Sequence, residues 1–173
     1  MTDYQKCLTY YYLRHMQDLV PKLGSVAAEF GQYFHKVLSV WYSNTEMPNA
    51  DRFRLAFSEF DTWQDKDWDN LRTKNRAFEI FTRYANKYPA ESTWTILANE
   101  IPVEMTIGED ARYRYWLIGK IDLVIRYFGF IYGVDHKTTS QLGSKYFDQY
   151  KPNSQMSGYT LYLKDRFGDA VQG

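Results

Sequence analysis

The feature that most constrains this chain is a run of sheet-forming sequence in its second half. "STWTILANEIPVEMTI" (92–107), "RYRYWLIGKIDLVIRYF" (112–128) and "FIYGVDHK" (130–137) are rich in Ile, Val, Thr, Tyr and Trp, the residues that favour a pleated, half-buried surface. They read as three strands, with Gly129 marking the turn between the last two. Asp122, Asp135 and Lys137 stand inside this apolar sequence. Charges there are costly unless something compensates for their burial.

The flanking sequence is helical. Residues 3–16 read as a helix, followed by a break at Pro21–Gly24. Residues 25–42, "SVAAEFGQYFHKVLSVWY", read as a stronger helix with Ser25 as N-cap. Residues 43–65 are polar and acidic, a loop with a short helix. Residues 66–87 read as a third helix ended near Pro89, and "NSQMSGYTLYLKDRF" (153–167) as a last one capped by Asn153 or Ser154. Helices, a sheet of at least three strands, then a helix make an α/β or α+β domain, and 173 residues suffice for one such domain. The chain stops at Gly173 without a closing element, so a further strand is expected there and the domain is expected to be cut short.

Bulk composition narrows the function. The formal net charge is zero, so overall electrostatics do not draw the chain to a polyanion, and a local basic patch or bound cations would have to do so. Aromatics reach 18%, with 16 Tyr and 11 Phe. Such residues stack on bases but more often build cores and rims. The single cysteine, Cys7, excludes an intrachain disulfide and a cysteine-only metal cluster. No apolar run approaches the ~20 residues of a membrane span, and the start "MTDYQKC" has no signal-peptide apolar stretch. The expected setting is cytoplasmic, away from membranes.

Asp135 and Lys137, two apart on a strand, point to the same face. A two-residue turn at Phe128–Gly129 sets Asp122 opposite Asp135, whereas a slip of one residue would send Asp122 to the other face. In the first register two carboxylates and an ammonium converge. Oxygen ligands suit Mg²⁺ or Mn²⁺, and the His136 carbonyl at the strand end could add another. The competing reading is a structural Asp–Lys pair at a sheet edge. His35 lies roughly 150° from the apolar stripe of Val26, Phe30, Tyr33, Val37 and Trp41. Its own face carries Ala28, Gly31 and Leu38. That suits close packing against the acids as a ligand, or an ordinary boundary histidine. Gln155 and Tyr159, four apart, share a helix face and could meet a phosphate or the acids, or form a plain polar stripe.

In order, "GQYFH", "GKIDLV", "VDHKT" and "QMSGY" resemble the RecB-type branch of the PD-(D/E)XK nuclease superfamily over roughly residues 25–163. The resemblance implies a restriction-endonuclease-like core, a central mixed β-sheet flanked by helices. A helical part of about 1–90 would precede a catalytic core of about 91–173. It implies that His35, Asp122, Asp135 and the His136 carbonyl hold Mg²⁺ or Mn²⁺. Lys137 would position or activate the attacking water, and Gln155 and Tyr159 would support the site or touch DNA. Glu104 stands on the preceding strand, where relatives often carry a glutamate. Ile121 replaces the proline of the superfamily name, as is usual in this branch. Some relatives hold an iron–sulfur cluster through four cysteines, but only Cys7 is present, so no cluster is expected. No G-x-x-x-x-G-K-[ST] occurs, so any helicase or recombinase partner would be a separate protein. The implied activity is a deoxyribonuclease acting on single- or double-stranded DNA with ends, an exonuclease before an endonuclease, in recombination, repair or phage replication. The rivals are a structure-selective or single-strand endonuclease, an RNA endonuclease of the cap-snatching kind, a catalytically silent DNA-binding module, and a small interaction domain whose Asp–Lys pairs are structural.

Overall fold

The structure, a computed structural model, describes residues 7–17, 19, 25–63, 69–89, 94–148 and 153–173. A short helix α1 (Leu8–Tyr11) runs into a π-helical turn at Tyr12–Met16, with no buried residue in either. Residues 3–6 of the expected first helix and the expected break at Pro21–Gly24 lie outside the described residues. Helix α2 (Val26–Ser43) starts where the sequence places it, because the Ser25 hydroxyl accepts the Ala28 N–H. Helix α3 (Asn49–Ser58) is the short helix expected within 43–65.

Helix α4 (Lys74–Lys87) begins later than the expected residue 66. Residues 64–68 are not described, but the reason for the start is local. The Asp69 carboxylate accepts the N–H groups of Leu71 and Arg72 at 2.8 and 2.7 Å, which holds a turn. Thr73 then caps the helix by accepting the Arg76 N–H at 3.1 Å.

Three strands follow, β1 (Trp94–Glu109), β2 (Arg114–Tyr127) and β3 (Phe130–Val134), paired antiparallel in the order β1-β2-β3. The expected strand start at Ser92–Thr93 lies outside the described residues. Phe128 and Gly129 form the two-residue turn, both with positive φ (48° and 85°), as a type I′ hairpin demands. Tyr127 faces Phe130 and Leu123 faces Val134, so Asp122 and Asp135 occupy the next facing positions, as the turn predicts. The strand does not carry Asp135 and Lys137, however. It ends at Val134, three residues short of the expected Lys137. There the His136 N–H turns to the Asp122 carboxylate, at 2.7 Å, instead of a ladder carbonyl. After α5 (Ser144–Asp148) and α6 (Ser154–Phe167, capped by Asn153), the chain returns to the free edge of β3. Val171 bridges Ile131 in parallel, and the Gly133 N–H reaches the Gly173 carbonyl at 2.7 Å. The sheet of the described residues is antiparallel rather than the expected mixed one, and this single bridge, where a closing strand is expected, is its parallel contact.

The sheet separates two cores. On one side α2, α3 and α4 pack Phe34, Trp41, Phe60 and Phe81 against Leu123 and Ile125. Much of the aromatic content goes here, with rings such as Phe60 and Phe78 edge-to-face at 4.5 Å. On the other side α6 lays Tyr159 and Leu163 against Val103, Ile121 and Ile131. Residues 121–125 of β2 are all buried, as expected of a strand covered on both faces. Asp122 is the acid in that run. No described helix is long and apolar enough to cross a membrane.

Candidate metal centre

Asp122 is 6% exposed and its carboxylate is held from two sides. His35 Nδ1, from α2, stands 3.3 Å from Oδ1. The His136 N–H donates to Oδ2, and the His136 ring Nδ1 stands 3.7 Å from the same oxygen. Burial works against the Asp122 charge, but the bonds from His35 and the His136 amide outweigh it and hold the group below the usual carboxylate range. The hydrogen bond to Asp122 raises the His35 pKa, with burial opposing the rise and the His136 backbone adding to it.

The third group is Glu100. It lies on β1 between the pairs Asn99–Leu123 and Ile101–Ile121, and so faces Asp122 directly. One ligand atom each from His35, Glu100 and Asp122 lie within 4.8 Å of one another. One imidazole and two carboxylates form a donor set suited to a divalent cation such as Mg²⁺ or Mn²⁺. Glu100 has φ of 55°, a conformation that costs a non-glycine residue about 1–3 kcal/mol and clusters at functional sites. The Lys120 ammonium pairs with its carboxylate.

Sequence reasoning points to Glu104 and misses Glu100. Glu104 is exposed and faces Ile118. Counting from the β1–β2 turn, Glu109 faces Arg114 and Gly108 faces Tyr115. An unbroken ladder from there would set Ile101 opposite Asp122. A bulge between Thr106 and Gly108 adds one residue to β1 and brings Glu100 there instead. The glycine at 108 is the local signal that a bulge was available.

Asp135 takes a different place. Lys137 Nζ lies 2.9 and 2.7 Å from its two oxygens, and Gln155 Nε2 donates to it at 3.1 Å. The same amide reaches the Tyr159 hydroxyl at 3.0 Å, which donates to the Lys120 carbonyl at 2.7 Å. Gln155 and Tyr159 share a helix face, where Gln155 meets an acid, Asp135, and Tyr159 bonds the Gln155 amide. Among the described residues the three-ligand group comprises His35, Glu100 and Asp122, without Asp135. Gly119 explains how Tyr159 comes so near: a Cβ there would stand 3.1 Å from its ring and hydroxyl. Gly31, by contrast, faces Thr138 with ordinary room for a methyl group, 3.5 Å, so close packing at that face does not require glycine.

The His136 ring is part of a further chain that the sequence gives no hint of. Its Nε2 bonds the Tyr84 hydroxyl at 2.9 Å, and Tyr84 bonds Tyr42. Tyr42 also stacks on the imidazole, centroids 5.8 Å apart. Burial drives the His136 pKa down to about 4, so the ring is neutral at pH 7. Burial likewise raises Tyr42 and Tyr84, which keeps both hydroxyls protonated as donors.

A family model of the PD-(D/E)XK nuclease superfamily matches residues 1–173, the full length of the chain. No curated protein matches it.

Proposed function

Since the chain belongs to the PD-(D/E)XK nuclease superfamily, whose members are metal-dependent nucleases, we propose that it is a deoxyribonuclease of the RecB type that degrades DNA from its ends. All 173 residues then serve as one nuclease domain, acting in the cytoplasm in recombination, repair or phage replication beside a separate helicase or recombinase. The observation that carries the reading is the convergence of His35, Glu100 and Asp122 within 4.8 Å, beside an Asp–Lys pair on the facing segment.

The residues divide the work as follows. His35, Glu100, Asp122 and the His136 carbonyl hold the cation, Mg²⁺ or Mn²⁺. Asp135, facing Asp122, is the further carboxylate assigned to it and also anchors Lys137 and Gln155. A bound divalent cation supplies Lewis-acid stabilisation of the phosphodiester and lowers the pKa of water. Lys137 holds the attacking water and offsets the charge that develops on the phosphate. Tyr159 and Gln155 orient Asp135 through the bonds described above. His136, fixed by Tyr84, presents its amide to Asp122 and its carbonyl to the cation.

Digestion of end-labelled linear DNA, circular DNA, single strands and RNA, each with Mg²⁺, Mn²⁺ or EDTA, tests the reading. Linear DNA should be lost from its ends in either metal, circles should survive, and EDTA should stop the reaction. Cutting of circles would make the enzyme an endonuclease. Cleavage in EDTA, or none in either metal, would overturn the proposal.

A further inference from the structure

A cavity of about 730 Å³ opens beside the candidate metal centre, between α2, α4 and the segment 136–142. His35, His136 and Lys137 form its inner wall. Its outer wall is cationic: Arg72, Arg76 and Arg83 join Lys137 in the lining, against the single acid Glu79. On a chain of zero formal charge this is a strong local excess. Arg72 is tied to Asp69 and Arg76 reaches Glu79 only at 3.5 Å, while Arg83 makes no ion pair among the described residues. Arg76 and Arg83 are two turns apart on one face of α4, roughly 10 Å along the axis, so they would meet different phosphates. Apolar side chains with little cover share the lining: Leu71 and Leu142 are 64% and 78% exposed.

We infer that this cavity is the binding tract for a single strand of DNA. The Arg76 and Arg83 guanidiniums take its phosphates, and Leu71, Ile80 and Leu142 take its bases. The inference rests on the nuclease reading and goes beyond it by naming the strand state and the path. Unstacked bases can cover exposed apolar side chains, whereas a duplex keeps its base faces stacked inside and offers phosphates alone. The volume also falls within the ~300–1,000 Å³ of small-ligand pockets, a space for a few nucleotides rather than a double helix. A second cavity of about 870 Å³ shares His35, His136, Lys137 and Thr138 with the first and runs past Glu100 and Lys120. Lys36, Lys120 and Lys137 there face Glu59 and Glu100, so it is less cationic. The strand thus has a way in along α4 and a way out past the acids, with Lys137 between.

The test compares the wild-type chain with R76A/R83A, both sites exposed, and with R54A/R166A as a control of equal charge on α3 and α6. Binding of fluorescein-labelled oligothymidylate and of a blunt duplex is read by anisotropy in Ca²⁺, and cleavage in Mg²⁺ is measured in parallel. Wild type should prefer the single strand. R76A/R83A should bind it at least ~10-fold more weakly, with a salt slope shallower by about 1.4, since each lost contact to a single strand removes about 0.7. The control should bind as wild type does. Unchanged affinity in R76A/R83A, or a duplex held as tightly as the single strand, overturns the tract while active cleavage leaves the nuclease standing. A wild-type chain that neither binds nor cleaves overturns both.

Discussion

At the scale of single residues, the site turns on which glutamate is used. Glu100 and Glu104 stand on the same strand, but only Glu100 faces Asp122 across the ladder. Glu100→Gln keeps the shape and removes the charge. It should weaken Mn²⁺ binding at least ~10-fold, as loss of a charged oxygen ligand implies, while Glu104→Gln leaves binding unchanged. Titration calorimetry of the two variants decides this, and equal affinities would remove Glu100 from the site. Lys137 invites a separate prediction. Its ammonium is held on Asp135, so Lys137→Ala should lower turnover by roughly 10²–10⁴-fold with DNA affinity little changed. Lys137→Arg should rescue poorly, since a planar fork replaces a compact charge. Single-turnover kinetics with binding measured in Ca²⁺ separate the two effects, and a nearly active alanine variant would make the Asp–Lys pair structural.

At the scale of elements, helix α6 and strand β2 come close where two side chains are absent, Gly119 of β2 beside Tyr159 and Gly158 of α6 beside Leu117. Tyr159 lies against Gly119 and bonds the Lys120 carbonyl, and Gln155 on the same helix holds Asp135. A Gly119→Val side chain would push into the tyrosine ring. Overpacking of this kind costs about 1–3 kcal/mol, and the displaced helix would carry Gln155 away from Asp135. Urea denaturation should record that loss, and cleavage should fall by more than an equally destabilising Leu163→Ala variant loses. Equal losses would mean that α6 supports the fold alone. The spacing of "GKID" and "QMSGY" in the sequence thus has a physical content: the glycine of one and the tyrosine of the other are in contact. The bulge between Thr106 and Gly108 works on β1 in the same way, setting Glu100 rather than Ile101 opposite Asp122.

At the scale of the molecule, the two cores clamp a sheet with a buried acid and two histidines of opposite tendency, and this shapes stability against pH. His136 has its pKa lowered to about 4, so it folds neutral. Its contribution is complete above the unfolded value of about 6.5 and fades as pH falls from there toward 4, by up to ~3 kcal/mol. His35 has its pKa raised, so its pairing with Asp122 is complete below about 6.5 and fades as pH rises through the raised value. In EDTA, unfolding free energy should therefore peak near pH 6–7 and fall on both sides. His136→Gln should flatten the acid limb and His35→Gln the alkaline limb, read from urea melts across pH. A profile unaffected by either change would mean that the two rings do not govern it. The sequence alone determined the order of helices and strands, two helix starts and one register. Ser25 and Asn153 set the helix starts that they cap, and the two-residue turn at Phe128–Gly129 set Asp122 opposite Asp135, because caps and tight turns are fixed by neighbours in the chain. The tertiary structure decided the rest. Gly108 marks where a bulge is available but not that one forms, so Glu100 rather than Ile101 reaches Asp122 only once β1 is laid on β2. Nor could sequence foresee that β3 would stop before Asp135. The Asp122 carboxylate draws the His136 amide out of the ladder, and that competition exists only when the two segments are brought together.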